Sequence, residues 1–551
     1  MAAHQMGVTP IAAPTAYCSA HRLGGLHGRV GKPGERFAPL PSLRRIRSLD
    51  HRHVATSTVT PSDTVATLPA TEERNAQNGD QPEFDWFKNW YPVQFTRNLD
   101  DDRPNRIQLL GRWYVAWKGL SGNWNVMDDQ CPHRLAPLSE GRVEKDGNLL
   151  CAYHAWRFDE SGKCVRIPQA DSAKAECTAC DSGRSRVTKY PSKVLGGMLW
   201  VWPDSSVTCA IDSEASPVPI KKEVAELMDQ LEEEGNPTGY TRVMPYSHDV
   251  LVENLIDPAH ITISHHGALP NFSRYDAKSL NMSHVENEPS DYKKDVLVTV
   301  KYDIMNLDGI LTFAPPCHVE QWVRGVEGRS TMIHTVPLEP GKSRLFFTQE
   351  FKSSIMRKWP LNVFPWLDHL WHHNIFDGDN VFLNVQDRNM RSAAEANGTD
   401  LGGGSMGGSE SFFMATSADS AVRSFRKWFD TVGMGGPPFP GGQRMDGGEL
   451  QKEELLDRFE QHTKECKECQ GALKMIDLAG VLARVALVGC FGGLCAMVGL
   501  YGIQGLVSKV WPALGGLGLL VGLAAAETAR RFLDNFRQQF FFVDYSHADH
   551  D

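Results

Sequence analysis

Cys131-Pro-His133 and Cys151-Ala-Tyr-His154, with 17 residues between the pairs, constrain this chain more than any other feature. Each half offers one thiol and one imidazole two or three positions apart, so two loops can each deliver a mixed pair of ligands. Two Cys and two His suit either a tetrahedral zinc or a [2Fe–2S] cluster with Cys on one iron and His on the other. The Cys-x-His half favours the cluster, because zinc pairs usually run Cys-x2–4-Cys or His-x3–5-His. Short runs at Ile107–Leu110, Arg112–Trp117 and Trp124–Met127, bounded by Gly and Asn, read as strands that lead into the first loop. Met198–Trp202 reads as the strand that closes this domain.

A second set of ligand-type residues follows about 105 positions downstream, in Asp257-x2-His260-x4-His265. The two imidazoles meet if the helix distorts locally between them. With one carboxylate they make the 2-His-1-carboxylate face of a non-haem Fe(II) centre, with positions left open for O2. Alone this spacing is weak, since His pairs on amphipathic helices are commonly structural; beside the upstream Cys/His pairs it points to a metal centre. Asp377 and Asp379 follow a Trp- and His-rich predicted helix, Lys358 to His373, and either would also serve as a helix cap. Spacing argues against His266 as a ligand, and His372 and His373 read as structural or pocket residues. Asn254, one turn before Asp257, is placed to line the iron site or to be a satisfied buried amide.

The net charge of −10 gives no reason to expect a nucleic-acid partner. Up to His53, seven Arg stand against only Glu35 and Asp50 among many Ala, Ser, Thr, Pro and Gly, which reads as an organellar transit peptide over residues 1–80. A β-rich region carrying the two Cys/His loops is expected over 84–205 and a catalytic domain over 206–455, where β-rich stretches between 290 and 352 suggest a broad antiparallel sheet under helices, an α+β fold. Gly402–Gly408 and Gly433–Gly448 read as plain loops, and Asn397-Gly-Thr399 as a meaningless glycosylation match. Residues 456–474 form a linker with His462, Cys466 and Cys469. Two transmembrane helices are expected within 475–530, and a tail over 531–551. Val485–Ile503 carries no charge for 19 residues, and Val510–Ala526 forms a second run of 17. Gly489-x3-Gly493 and Gly518-x3-Gly522 would let the two helices approach closely. Lys474, Arg530, Arg531 and Arg537 flank the hairpin and put both ends on one side. Cys466 and Cys469 could form a reversible disulfide, a thioredoxin target or half of a zinc site; Glu465 and Glu468 beside them argue against a highly reactive thiolate. Cys177-x2-Cys180 reads as free thiols in a polar loop.

The two metal motifs, in this order, resemble the Rieske-type, ring-hydroxylating non-haem iron oxygenases, with Cys131-Pro-His-Arg134 and Cys151-Ala-Tyr-His154-Ala-Trp156 fitting the signature closely. Within them the chain looks like the plant and algal pheophorbide a oxygenase subgroup, with its protochlorophyllide a oxygenase-like and translocon Rieske relatives. That likeness rests on Cys131–Gly141, Ile167-Pro-Gln169, Val252–His260, the Cys466-x2-Cys469 pair before two spans, and the ending Phe541-Phe-Val-Asp-Tyr545-Ser-His547, and it covers roughly residues 84–548. It implies a [2Fe–2S] cluster on Cys131, His133, Cys151 and His154, and Fe(II) on His260, His265 and an Asp shortly before Gln386 at a helix start. Asp379 matches that place best, with Asp377 as the alternative. By the same resemblance Asp257 bridges to a Rieske histidine of a neighbouring subunit in a head-to-tail homotrimer. The implied partners are ferredoxin, O2 and a chlorophyll-derived tetrapyrrole, with thioredoxin as a regulator. The implied reaction is ring opening of pheophorbide a; the alternatives are oxidation of a methyl group on protochlorophyllide or chlorophyllide, or a redox role at the chloroplast import translocon. The implied place is a chloroplast membrane, inner envelope or thylakoid, with the catalytic domains in the stroma.

Overall fold

The computed structural model describes residues 83–550 apart from 269–272, 287–289, 294, 305–306, 324–328, 351–363, 399–411 and 446. The expected transit peptide, the Gly402–Gly408 loop, Thr399 and the first part of the predicted helix from Lys358 lie outside the described residues.

The cluster motif sits in small antiparallel sheets. Their strands are β1 (Tyr91–Phe95), β2 (Asn105–Leu109), β3 (Arg112–Lys118), β4 (Trp124–Asp128), β5 (Arg142–Val143) and β6 (Leu149–Leu150). β7 (Arg157–Phe158), β8 (Cys164–Arg166), β9 (Lys189–Tyr190), β10 (Ser192–Leu195) and β11 (Met198–Val201) complete them. They pair in the orders β1-β11-β10, β2-β3-β4-β9 and β5-β6-β7-β8. Between β8 and β9 lies α1 (Ala173–Cys180), capped by the Ser172 side chain accepting from the Ala175 amide. The Cys177-x2-Cys180 segment is therefore helical, not the polar loop expected. Cys180 is buried 3.7 Å from Cys164, while Cys177 is exposed beside Asp181.

α2 (Cys209–Ala215) and α3 (Lys222–Glu233) lead into β12 (Tyr240–Met244), α4 (His248–Leu255), α5 (Ile261–Ser264) and β13 (Ser283–His284). A run of hairpins follows: β14 (Val298–Ile304), β15 (Leu307–Ala314), β16 (His318–Val323), β17 (Arg329–Glu339) and β18 (Lys342–Glu350). Together they make a seven-stranded antiparallel sheet, β12-β18-β17-β16-β15-β14-β13. The β-rich stretches expected between 290 and 352 fall on strands of this sheet, whereas β12 and β13 lie outside that range. Period-2 alternation decides what each face meets. Val300, Leu311, Phe313, Ile333 and Leu345 join a core with Val252, Phe376, Leu383 and Phe425 from the helices. Met332, Val336, Leu338 and Phe346 point the other way, into a core with Trp90, Tyr91, Trp200 and Trp202 of the N-terminal sheets. Each large side chain so buried contributes roughly 1.5–3 kcal/mol, so the sheet is held from both sides. The β17–β18 turn uses Gly341 at φ +77°, the left-handed region where glycine costs least, and its amide donates to Ser247 Oγ at 2.7 Å. That bond ties the sheet to the residue that starts α4.

α6 (Pro365–Ala396) crosses beneath the sheet with Pro365 at its first position. α7 (Ser420–Thr431) and α8 (Lys452–Leu455) precede two long helices, α9 (Lys467–Ser508) and α10 (Val510–Gln538). Both are long and apolar enough to cross a membrane, with mean hydropathy of 2.1 and 1.5 over their best windows. Leu482, Val488, Phe491, Leu500, Ile503 and Leu517 among others face outward on them, an apolar surface that water does not favour at this size. Only half of each small-residue motif is used at the interface: Gly493 faces Leu519 and Gly522 faces Cys490, whereas nothing stands within 4 Å of where a Cβ on Gly489 or Gly518 would be.

Candidate functional site

The two Cys/His loops are copies of one design. The Cys131 amide donates to Ala136 O and the Leu135 amide returns to Cys131 O; the Cys151 amide donates to Trp156 O and the Ala155 amide returns to Cys151 O. Leu135 (φ +61°) and Ala155 (φ +56°) occupy the matching left-handed position in each loop. The result buries both sulfurs and leaves His133 exposed and His154 half-buried on the outer side. Their rings are 4.5 Å apart, and His133 stacks on Trp156 at 4.6 Å. Burial pushes the Cys131 thiol up to about 12, although the His133 and Arg134 amides pointing at the sulfur work against that. Those amide donors favour a thiolate, and a bound cation supplies the remaining charge that burial withholds. The residues fit a [2Fe–2S] cluster with paired Cys inside and paired His outside.

The second set assembles from distant segments. α4 and α5 are separated by a break at Ile256–His260, and this break lets His260 and His265 face each other, with ring centroids 5.3 Å apart. Asp379 comes from α6, and one donor atom each of His260, His265 and Asp379 lies within 4.8 Å of the others. His265 Nε2 is 3.7 Å from Asp379 Oδ2. Among the described residues, buried Asp379 Oδ1 and His265 Nδ1 have no hydrogen-bond partner. Burial raises Asp379 to about 6 despite nearby His260, and burial together with His260 depresses His265 to about 3. A buried carboxyl, a neutral imidazole and orphaned acceptor atoms are what a divalent cation would satisfy, so this set fits mononuclear iron. His260 Nδ1 donates to the Asp257 backbone carbonyl, which leaves Nε2 as the atom free to ligate, 3.3 Å from Asn254 Nδ2.

Asp379 is not at a helix start. α6 is continuous from Pro365, so Asp379 lies about four turns in, and neither carboxylate caps the helix. Two positions of separation put Asp377 and Asp379 on opposite faces. Asp377 is fully committed elsewhere: Oδ1 accepts from Arg242 at 2.7 Å and Oδ2 from Arg458 at 2.8 Å, all buried. The same helix carries Asp387, which accepts from the Ser247 amide at 2.8 Å and from Arg391 at 2.7 Å. On α4, Asp249 meets Arg426 at 2.8 Å and Arg391 at 3.2 Å, and Glu253 also pairs with Arg426. Buried charges thus fix the angle between α4, which leads into the His260 segment, and α6, which carries Asp379.

The Asp257 carboxylate accepts from the Ala259 amide at 2.9 Å, and burial raises its pKa above the ordinary carboxylate range. His373 Nδ1 meets Tyr240 OH at 2.9 Å and His372 stacks on the same ring at 5.0 Å, so both belong to the packing of α6 on β12. Sequence reasoning used Tyr545 only as part of the chain's ending and gave it no place at the site. Its hydroxyl donates to Ser264 O at 3.3 Å and stands 3.0 Å from where a Cβ on Gly378 would be, which brings the chain's last segment back to the triad. The absence of a side chain at Gly378 between two aspartates was the available signal. Cys466 and Cys469 are buried with His369 and His462 against them, neighbours that adjacent Glu residues did not reveal. Glu468 and Glu465 instead pair with Arg97 and Arg344, at 3.2 and 3.1 Å.

Residues 89–191 match the Rieske [2Fe-2S] domain family, and residues 313–397 match the pheophorbide a oxygenase family. The chain is 31% identical to the chloroplastic pheophorbide a oxygenase of Oryza sativa subsp. japonica over 92% of this chain and 93% of the relative. It is 29% identical to the chloroplastic flavonoid 8-hydroxylase 2 of Ocimum basilicum, over 79% and 83%. The solved structure of dicamba monooxygenase bound to dicamba is 18% identical with a TM-score of 0.47, covering 64% of this chain and 98% of that one. Matched at that identity over nearly the whole length of both chains to the rice enzyme, the chain belongs to the pheophorbide a oxygenase family of Rieske-type non-haem iron oxygenases, which use a [2Fe–2S] cluster and a mononuclear iron.

Proposed function

We propose that this oxygenase takes electrons from reduced ferredoxin and oxidises a chlorophyll-derived tetrapyrrole, pheophorbide a first among them, at a chloroplast membrane. The observation that carries the reading is the convergence of His260, His265 and Asp379, two of them with unpartnered buried atoms, in a chain that also carries the Cys131/Cys151 loops. Cys131 and Cys151 would hold one iron of the cluster and His133 and His154 the other; His260, His265 and Asp379 would hold the ferrous ion. When bound, the cluster supplies single electrons and the ferrous ion supplies O2 activation. The chain's own residues orient and shield: Asp257 O fixes the His260 tautomer, Asn254 borders His260, and the buried Arg–Asp pairs keep α4 and α6 in place.

The electron path calls for a second subunit. His133 and His154 lie at the outer side of their loops beside exposed Leu135 and Tyr153, an apolar rim suited to a neighbouring chain. Asp257, on the segment leading to His260, is the residue assigned to meet a neighbour's His133 or His154 by a charge-assisted hydrogen bond, in a homotrimer. The outward apolar surfaces of α9 and α10 support membrane anchoring, with the flanking Lys474, Arg530 and Arg531 on the stromal side. A flat apolar pigment would reach the enzyme from the bilayer. Relatives named chloroplastic support the compartment.

The test is turnover by the full chain in detergent with reduced ferredoxin and O2, offered pheophorbide a, protochlorophyllide, chlorophyllide and a flavonoid in parallel. Oxygen uptake with a mass gain on pheophorbide a alone supports the reading. A mass gain on another pigment moves the substrate within the family. Reaction only with the flavonoid, or a reducible cluster with no turnover on any of the four, overturns it.

A further inference from the structure

His369, His462, Cys466 and Cys469 are all buried, and one donor atom from each lies within 4.8 Å of the others. Cys469 Sγ is 3.3 Å from His369 Nδ1 and 3.3 Å from His462 Nε2, and Cys466 Sγ is 3.4 Å from His369 Nδ1. A tetrahedral zinc, with bonds of about 2.3 Å to sulfur and 2.0–2.1 Å to nitrogen, holds sulfur and nitrogen donors about 3.5 Å apart. Three of the four sulfur–nitrogen pairs already stand near that separation, and all four atoms lie within 4.8 Å of one another.

The other nitrogen of each imidazole shows which atom is free to ligate. His369 Nε2 is 3.2 Å from Gly239 O and His462 Nδ1 is 2.5 Å from Thr241 O. β12 is the end strand of its sheet, bonded to β18 alone, so the carbonyl of Thr241 on it and that of Gly239 just before it are open to the two rings. Each ring therefore donates its N–H to backbone and turns its lone pair onto the sulfurs, the outer-sphere arrangement of metal-bound histidine. The thiols are 1% and 0% exposed, beyond the reach of a protein reductant. Cys466 Sγ also lies 3.2 Å from Glu468 Oε2, whose charge Arg97 balances.

We propose that these four residues bind a structural zinc ion, distinct from both iron centres. With four protein ligands the site is closed and has no open position for chemistry. On binding, the two thiols release their protons to solvent, and two thiolates neutralise the dication in the buried site. The ion joins three segments: Cys466 caps α9 and Cys469 lies in its first turn, His462 lies in the turn just before, and His369 lies on α6. Asp379 stands ten residues further along α6, about 15 Å along the axis. The ion thus pins the root of the membrane hairpin to the helix that carries the iron carboxylate.

The experiment measures metals and thiols in the purified full chain, independently of turnover and substrate. About one zinc per chain is expected beside the iron, with X-ray absorption at the zinc edge showing two sulfurs near 2.3 Å and two nitrogens near 2.0 Å. In Cys469→Ser and His462→Ala, zinc should fall at least about tenfold while the reduced-cluster EPR signal stays. In the wild type, Cys466 and Cys469 should resist alkylation until a chelator removes the zinc. Wild-type protein without zinc and with a Cys466–Cys469 disulfide, with alkylatable thiols, or with iron on these ligands would overturn the proposal, whether or not the variants fold.

Discussion

Each Rieske loop closes on itself within six residues, through two backbone bonds and one left-handed residue, whereas the iron triad draws Asp379 from more than a hundred residues beyond His260. The first site is a local cassette on small sheets. The second exists only while α4, α5 and α6 keep their mutual angles, and buried ion pairs around Arg242, Arg426 and Arg391 set those angles. Damage to catalytic-domain packing should therefore cost the iron site and spare the cluster, and that asymmetry can be tested at several strengths.

The sharpest break is at the triad. Asp379→Asn or His260→Ala should lower turnover by well over the roughly 10–100-fold that follows loss of an outer-sphere partner, with mononuclear iron lost. The reduced-cluster EPR spectrum should be unchanged. Loss of that spectrum in the same variants would show that the two sites are one cooperative unit. Asp377→Asn separates the two carboxylates: it should destabilise through Arg242 and Arg458 without removing a ligand, so any surviving folded protein should retain iron.

Next in size is Arg426→Met. It strips Asp249 and Glu253 of their shared buried partner, and breaking such a group typically costs 3–5 kcal/mol. Calorimetry should show the catalytic-domain transition falling and iron content dropping with it, while visible circular dichroism of the cluster persists to its former temperature. A single transition that moves both signals together would refute the cassette view.

The contrast also explains what the sequence disclosed. The two proposed ligands of each Rieske half lie within three positions, so spacing alone nominated them, as it nominated the short strands on either side and the two apolar helices. His260 and His265 were legible for the same reason. Asp379 was nominated by resemblance; its partner role depends on which face of α6 turns inward, and a polar buried stripe has no hydrophobic period to announce it. His369 and His462 belong to segments nearly a hundred residues apart and meet only because β12 offers its open edge to both. No local pattern carries such a meeting, and the same holds for the return of Tyr545.

Acid should act in the same order as packing damage. Burial depresses His248 and His334 in the catalytic domain to about 4. Unfolded, each takes a proton near pH 6.5, so between pH 6.5 and 4 the unfolded chain binds more protons and stability falls as pH falls. Each contributes about 3 kcal/mol over that window. Glu320, whose burial is outweighed by Lys221 and Lys293 so that it sits at about 2, adds its loss only below pH 4.5. Urea midpoints followed by tryptophan fluorescence should drop between pH 6.5 and 4, and His334→Gln should flatten the slope. An unchanged slope in that variant would remove His334 from the account.

The smallest effect probes the cassette itself. Leu135 and Ala155 sit at positive φ in equivalent positions, where a side chain costs roughly 1–2 kcal/mol relative to glycine. Glycine gives back about 0.5–1 kcal/mol through the greater freedom of the unfolded chain. Leu135→Gly and Ala155→Gly should each leave the Rieske domain within about 1 kcal/mol of wild type, on the stabilised side. Ala155→Val should lose stability, because a β-branched residue tolerates that backbone least. The readout is the temperature at which the cluster absorbance bleaches. If the glycine variants bleach earlier than wild type, the strain in the loops is not local, and the side chains of Leu135 and Ala155 contribute more through contact than they cost through conformation.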